Sequence, residues 1–129
     1  MVGNPEPYYP GDRYVDWVGF NAFSVVGSRS SDASFYNLIH KTYRQTYRQM
    51  LMNHPQKPFM VSSFGRTNEP NQSKWLVSAY EKMRSDFPAI KAVTYFDNTW
   101  KLTGDHTLNP RSLETLKEIL KAPYWIMGK

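Results

Sequence analysis

The sequence contains no cysteine. That excludes a disulfide scaffold, a thiolate metal site and a cysteine nucleophile together, and redox chemistry gives no reading of compartment. No run approaches the ~20 consecutive apolar residues of a membrane span. The first seven residues, Met1-Val2-Gly3-Asn4-Pro5-Glu6-Pro7, are polar and proline-rich and lack the apolar stretch of a secretory leader. There is no arginine-rich tract either. The sixteen Lys and Arg are scattered, so the net charge of +5 reads as a solvated surface with a basic excess. Nucleic acid is not the favoured partner. Ser24, Ser62 and Ser63 lie outside any Gly-x-Ser-x-Gly elbow, and Gly27-Ser28-Arg29-Ser30 lacks the lysine of a phosphate-binding loop. His40, His54 and His106 show no ligand spacing to one another. They read as surface or helix-capping residues, with no metal or cofactor expected.

What is present suits one packed domain over residues 1–129: 40% hydrophobic, 16% aromatic and 21% charged residues. Strand-like and helix-like stretches alternate. Tyr14 to Phe23, rich in aromatic and β-branched residues, reads as a buried strand that includes Asp16 and Trp17. Gly27 to Ser31 is a loop, and Ser31 or Asp32 can cap a helix from Ala33 to about Asn53. Its apolar positions are Phe35, Leu38, Ile39, Tyr43, Tyr47, Met50 and Leu51. Phe59 to Phe64 is a second strand. A second helix over Gln72–Ser85 carries Trp75, Leu76, Ala79, Tyr80 and Met83 on one face. Ile90 to Phe96 is a third strand, Asp97 to Leu108 a loop, and Asn109-Pro110 opens a third helix whose apolar face is Leu113, Leu116, Ile119 and Leu120. Trp17 and Trp75 read as core residues, and Trp125 packs the C-terminal segment against the domain.

The order β-α-β-α-β-α, with strands apolar on both faces, predicts an α/β fold: a parallel sheet covered by helices, its three strands side by side through right-handed crossovers. Function in such sheets gathers at the carboxyl ends of the strands. Here those ends are Asn21–Ser24, Ser63–Arg66 and Asp97–Trp100.

Three blocks at these strands resemble glycoside hydrolase family 26, which consists mainly of β-mannanases with some β-glucanases. Tyr8-Tyr9-Pro10-Gly11-Asp12-Arg13-Tyr14-Val15-Asp16-Trp17-Val18-Gly19 resembles the lead into the sixth barrel strand. Lys57 to Gly65 is similar to the seventh, and Phe87 to Phe96 to the eighth. The resemblance implies three consecutive β-α units of a (β/α)8 TIM-barrel glycosidase, a fold of typically ~250 residues. This chain would then be an excised C-terminal part, a chain that pairs with the remaining half or with a second copy, or a small domain in its own right. The resemblance further implies a secreted or cell-surface setting and β-linked polysaccharide or oligosaccharide as the partner.

The family is a retaining one, whose two catalytic carboxyl groups stand ~5–5.5 Å apart. Its acid/base glutamate would precede this chain, and at the nucleophile position the sequence reads Ser63. A tyrosine that supports the nucleophile is matched by Phe23. The resemblance therefore implies a fragment or degenerate copy of a β-mannanase-like hydrolase, acting on or binding glycan and not catalytic alone. Glu69 and Asp97 are the carboxylates available as substitutes. Trp100, Phe23, Asn21, Tyr95 and Asn98 are the candidate sugar contacts, because pyranose C–H faces stack on rings while hydroxyls need amides. Two alternatives stand beside this reading: an active hydrolase completed by a missing half, and a basic module binding an anionic polymer.

Overall fold

The structure, a computed structural model, describes residues 4–24, 44–102 and 104–125. A three-residue 3-10 turn, Glu6–Tyr8, leads in. There follow β1 (Val18–Ser24), α1 (Arg44–Asn53), β2 (Phe59–Arg66), α2 (Gln72–Asp86) and β3 (Ile90–Tyr95). A short hairpin, β4 (Thr99–Trp100) with β5 (Gly104–Asp105), precedes α3 (Pro110–Leu120). The three long strands form a parallel sheet in the order β1-β2-β3. The expected mixed α/β arrangement, strands alternating with helices, is what the chain adopts. Gly27–Ser31, the caps Ser31 and Asp32, His40 and the first part of the expected helix from Ala33 lie outside the described residues.

The first strand is shorter at its start than the sequence suggests. Pairing begins where the Val18 amide donates to the Pro58 carbonyl at 3.0 Å, and β2 offers no partner before Phe59. Upstream, Gly11 takes a φ of +105° and the Tyr14 amide closes a turn on its carbonyl. Tyr14 and Trp17 are therefore surface residues, 72% and 45% exposed, and Asp16 lies ahead of the strand. Trp17 is not a core residue, whereas Trp75 is.

One face of the sheet carries the core. Phe59, Val61 and Phe64 of β2 pack with Leu76, Ala79, Tyr80 and Met83 of α2, at the three-and-four spacing of a helix face. Tyr47 of α1 fits between Phe59 and Phe87, with ring centroids 4.8 and 5.4 Å away. Helix α2 stops at Asp86 because Pro88 follows one residue on, which turns Phe87 away from helical geometry. Helix α3 starts at Pro110, a residue suited to the first helical position, and the Asn109 side chain accepts from the Ser112 amide at 2.8 Å. Trp125 meets Tyr80 edge-on at 5.0 Å, so it does fasten the end of the described chain to α2.

The other face is not apolar, contrary to expectation. Gly19 and Asn21 of β1, Ser62 of β2, and Lys91 and Thr94 of β3 are exposed. A bulge in β2 marks this face. Phe20 pairs with Val61 but Asn21 pairs with Ser63, so Ser62 is the extra residue, and its hydroxyl donates to the Asn21 side chain at 3.0 Å, with the Phe20 carbonyl 3.2 Å away.

Candidate functional site

Register decides what shares a face at the carboxyl ends. Asn21, Phe23, Ser63 and Gly65 alternate onto the open face, and Ala22, Ser24, Phe64 and Arg66 onto the helix-covered face. The two faces do different things.

The open face ends in an aromatic shelf. Phe23 lies at the centre, with ring centroids of Phe96 at 5.7 Å, His106 at 5.1 Å and Trp100 at 6.4 Å. Gly65, paired with Phe23, makes the shelf possible: a Cβ there would meet the His106 ring at 3.2 Å. His106 is fully buried, not the surface or capping residue its loop position suggests. It is drawn inward because its amide donates to the Asn98 carbonyl at 2.9 Å, closing the hairpin over the sheet end. Trp100 stands on that hairpin, 46% exposed, its ring tilted by 58° to that of Phe23. Asn21 and Asn98 are also exposed. The Asn21 side-chain oxygen accepts from Ser62, and that of Asn98 accepts from the Thr99 amide. Ser63 is half-buried beside Asn21 in the register.

The covered face ends in a buried polar joint that the sequence reading missed. Arg66 is 5% exposed, although it had read as one of the scattered surface cations. Its guanidinium donates to the Ser24 hydroxyl and to Asn71, and it pairs with Glu69. The available signal was a cation directly after an apolar strand with a carboxylate three residues on. Gln72, the first residue of α2, is fully buried; its side-chain amide donates to the Arg66 and Thr107 carbonyls, each at 3.0 Å, and accepts from the Asn109 amide. Tyr95 belongs here too, on the side away from the shelf. Its hydroxyl donates to the His106 carbonyl at 2.8 Å, with the Arg66 carbonyl at 3.2 Å. Burial pushes the Tyr95 phenol up to about 12.

The acidic residues near the strand ends, Glu69, Asp97 and Asp105, are held in place. Glu69 faces Arg66. The Asp97 carboxylate accepts from the Leu108 amide at 2.7 Å, tying the start of the hairpin segment to its end. Asp105 accepts from the Thr107 hydroxyl and amide and from Thr99. Hydrogen bonds from the Thr107 side chain, then its backbone, hold the Asp105 carboxyl below its ordinary value of 3.8. His54 lies not at a bare helix end but between Asp12 and Glu6, 2.7 and 3.3 Å from their carboxylates. Among the described residues there is no group of three or more His, Asp or Glu side chains arranged to hold a metal ion, and no helix long and apolar enough to cross a membrane.

No protein-family model and no curated protein sequence matches the chain. Solved structures do resemble it. One is a triple mutant of an endo-beta-1,4-glucanase from Xanthomonas axonopodis pv. citri, with a TM-score of 0.50 and 11% identity, over 81% of this chain and 36% of that one. The chain thus spans about a third of the length of the glucanase it matches. At that identity the likeness is one of fold: a glycoside-hydrolase-like α/β arrangement.

Proposed function

We propose that this chain forms the last three β-α units of a glycoside hydrolase-like barrel and binds β-linked glycan on the Phe23–Trp100 shelf without hydrolysing it alone. The observation that carries the reading is the chemistry at the carboxyl end of the open face. An exposed indole lies beside a phenylalanine ring, the exposed Asn21 and Asn98 stand at the same strand ends, and Ser63 occupies the position where the family resemblance expects a nucleophilic carboxylate. A retaining mechanism needs a carboxylate there and a second one across the bond. The two local substitutes have other work: Glu69 compensates a buried guanidinium, and Asp97 anchors the hairpin segment. A carboxylate committed to such bonds is poorly placed to attack a sugar carbon.

A larger assembly is favoured by the sheet itself. The outer edge of β3 has no strand beside it among the described residues, and a cleft of roughly 620 Å³ runs along it, lined by apolar groups of Val93, Leu116, Leu120 and Trp125. An open strand edge next to an apolar cleft suits a further parallel strand, which in a glycosidase barrel the remaining strands supply. Whether β-mannan or β-glucan is the ligand is a matter of hydroxyl recognition, so both belong in the test.

Calorimetric titration of the 129-residue chain with mannohexaose and cellohexaose is the direct experiment. Binding of one sugar is expected, with a loss of more than about tenfold in affinity for Trp100→Ala and no reducing sugar released. Affinity untouched by Trp100→Ala would remove the shelf as the site. Sugar release abolished by Glu69→Gln or Asp97→Asn would make the chain an active hydrolase instead.

A further inference from the structure

Tyr95 and Gln72 bear on the shelf without touching it. The hydroxyl of Tyr95 has one hydrogen, and its nearest acceptor is the His106 carbonyl at 2.8 Å. The Gln72 amide spends its two hydrogens on the Arg66 and Thr107 carbonyls, and its oxygen takes the Asn109 amide at 3.2 Å. Residues 106–109 are thereby held to the ends of β2 and β3. That segment in turn holds the hairpin. The His106 amide donates to Asn98, and Thr107 ties down Asp105, which pairs with Thr99 next to Trp100. The Asn68 amide adds a bond to the Asp105 carbonyl at 2.8 Å. A two-residue ladder with no buried residue covers too little to fix its own position.

We propose that Tyr95 and Gln72 are positioning residues: they clamp segment 106–109, and through it hold the β4–β5 hairpin where Trp100 meets Phe23. The value of this clamp for sugar binding rests on the glycan reading above; its effect on Trp100 does not. A side chain that stacks on a sugar is useful only if its plane is fixed before the ligand arrives, because ordering it on binding costs affinity. Tyr95 thus acts from the helix-covered face, not as a sugar contact.

The test is fluorine NMR of the full chain labelled with 5-fluorotryptophan, whose four resonances are assigned by single Trp→Phe changes, combined with titration of mannohexaose and cellohexaose. Tyr95→Phe keeps the ring and removes the clamp hydroxyl. The Trp100 resonance is expected to shift and broaden or split, the Trp75 resonance to stay, and affinity for the bound sugar to fall about tenfold. If Tyr95→Phe loses its cooperative melt, Asp105→Ala, on the exposed side of the same chain of bonds, takes its place with the same expectation. A Trp100 resonance unmoved in the folded variant overturns the clamp. Displacement of all four resonances together also overturns it, since that marks general loosening. If the wild-type chain binds neither sugar while the Trp100 resonance still moves, the clamp stands and the glycan reading falls.

Discussion

At the scale of single residues, the carboxyl end of the sheet separates two jobs by parity. Residues 63 and 65 face the shelf, and residues 64 and 66 face the helices. The second pair shows why Arg66 can be buried at all. A desolvated guanidinium is tolerated only when its charge and donors are met, and here Glu69 supplies the charge while Ser24 and Asn71 accept. Glu69→Gln keeps the shape and removes the countercharge. Breaking a buried pair from one side costs about 3–5 kcal/mol where both partners are fully dry. The Glu69 side chain is 20% exposed and Gln remains an acceptor, so a loss of about 2 kcal/mol is expected. Urea unfolding would read it as a lower midpoint at unchanged slope. An unchanged midpoint would mean that the pair is solvent-screened and that Glu69 is freer for chemistry than its contacts imply.

At the scale of elements, periodicity was the legible part. The apolar spacing in α2 marked its buried face, Asn109-Pro110 marked the start of α3, and the runs Phe59–Phe64 and Ile90–Phe96 marked two strands to within two residues of their observed ends. What was not legible depended on pairing rather than composition. Tyr14–Trp17 have strand-like side chains but no strand opposite them. The β4–β5 hairpin is built from loop-like residues, and the segment that follows it is bonded to Gln72 and Tyr95, far away in sequence. The same lesson applies to the site. Phe23 and Trp100 are candidates that the family resemblance offers, but their neighbour His106 carries no such signal, because its burial requires a glycine on the adjacent strand. Helix α3 offers a clean test of a local signal. Its cap is a single 2.8 Å bond from the Ser112 amide to Asn109. Asn109→Ala should lower stability by about 1 kcal/mol, and Asn109→Gly by only a few tenths. Equal losses in the two variants would point instead to the weaker contacts of the Asn109 amide with Asn68 and Glu69.

At the scale of the whole molecule, one sheet face is packed and polar joints close its top, while much of the opposite face is exposed and the outer edges of β1 and β3 have no strand beside them among the described residues. The packed half leans on tyrosines whose hydroxyls are set into it. Burial is the first cause that raises the phenol pKa of Tyr47 and of Tyr80, and it carries Tyr95 to about 12. The direction of the resulting pH dependence follows from linkage. These groups are neutral when protonated, and their folded values lie above the ordinary 10.0. The folded state therefore holds protons that the unfolded chain releases first. Their contribution is fully present below pH 10 and drains away as pH rises toward 12 and beyond. The urea midpoint should thus be flat with respect to these groups at neutral pH and fall steeply once pH passes 10. Tyr95→Phe cannot ionise, so it should start lower, having lost its bond to His106, yet decline less with pH and approach the wild-type curve in strong base. A parallel decline in both proteins would show that alkaline unfolding is driven by other groups, such as the lysines losing charge. A midpoint independent of pH up to 12 would mean that the phenols are more hydrated than the packing around Phe64, Tyr80 and Tyr95 implies.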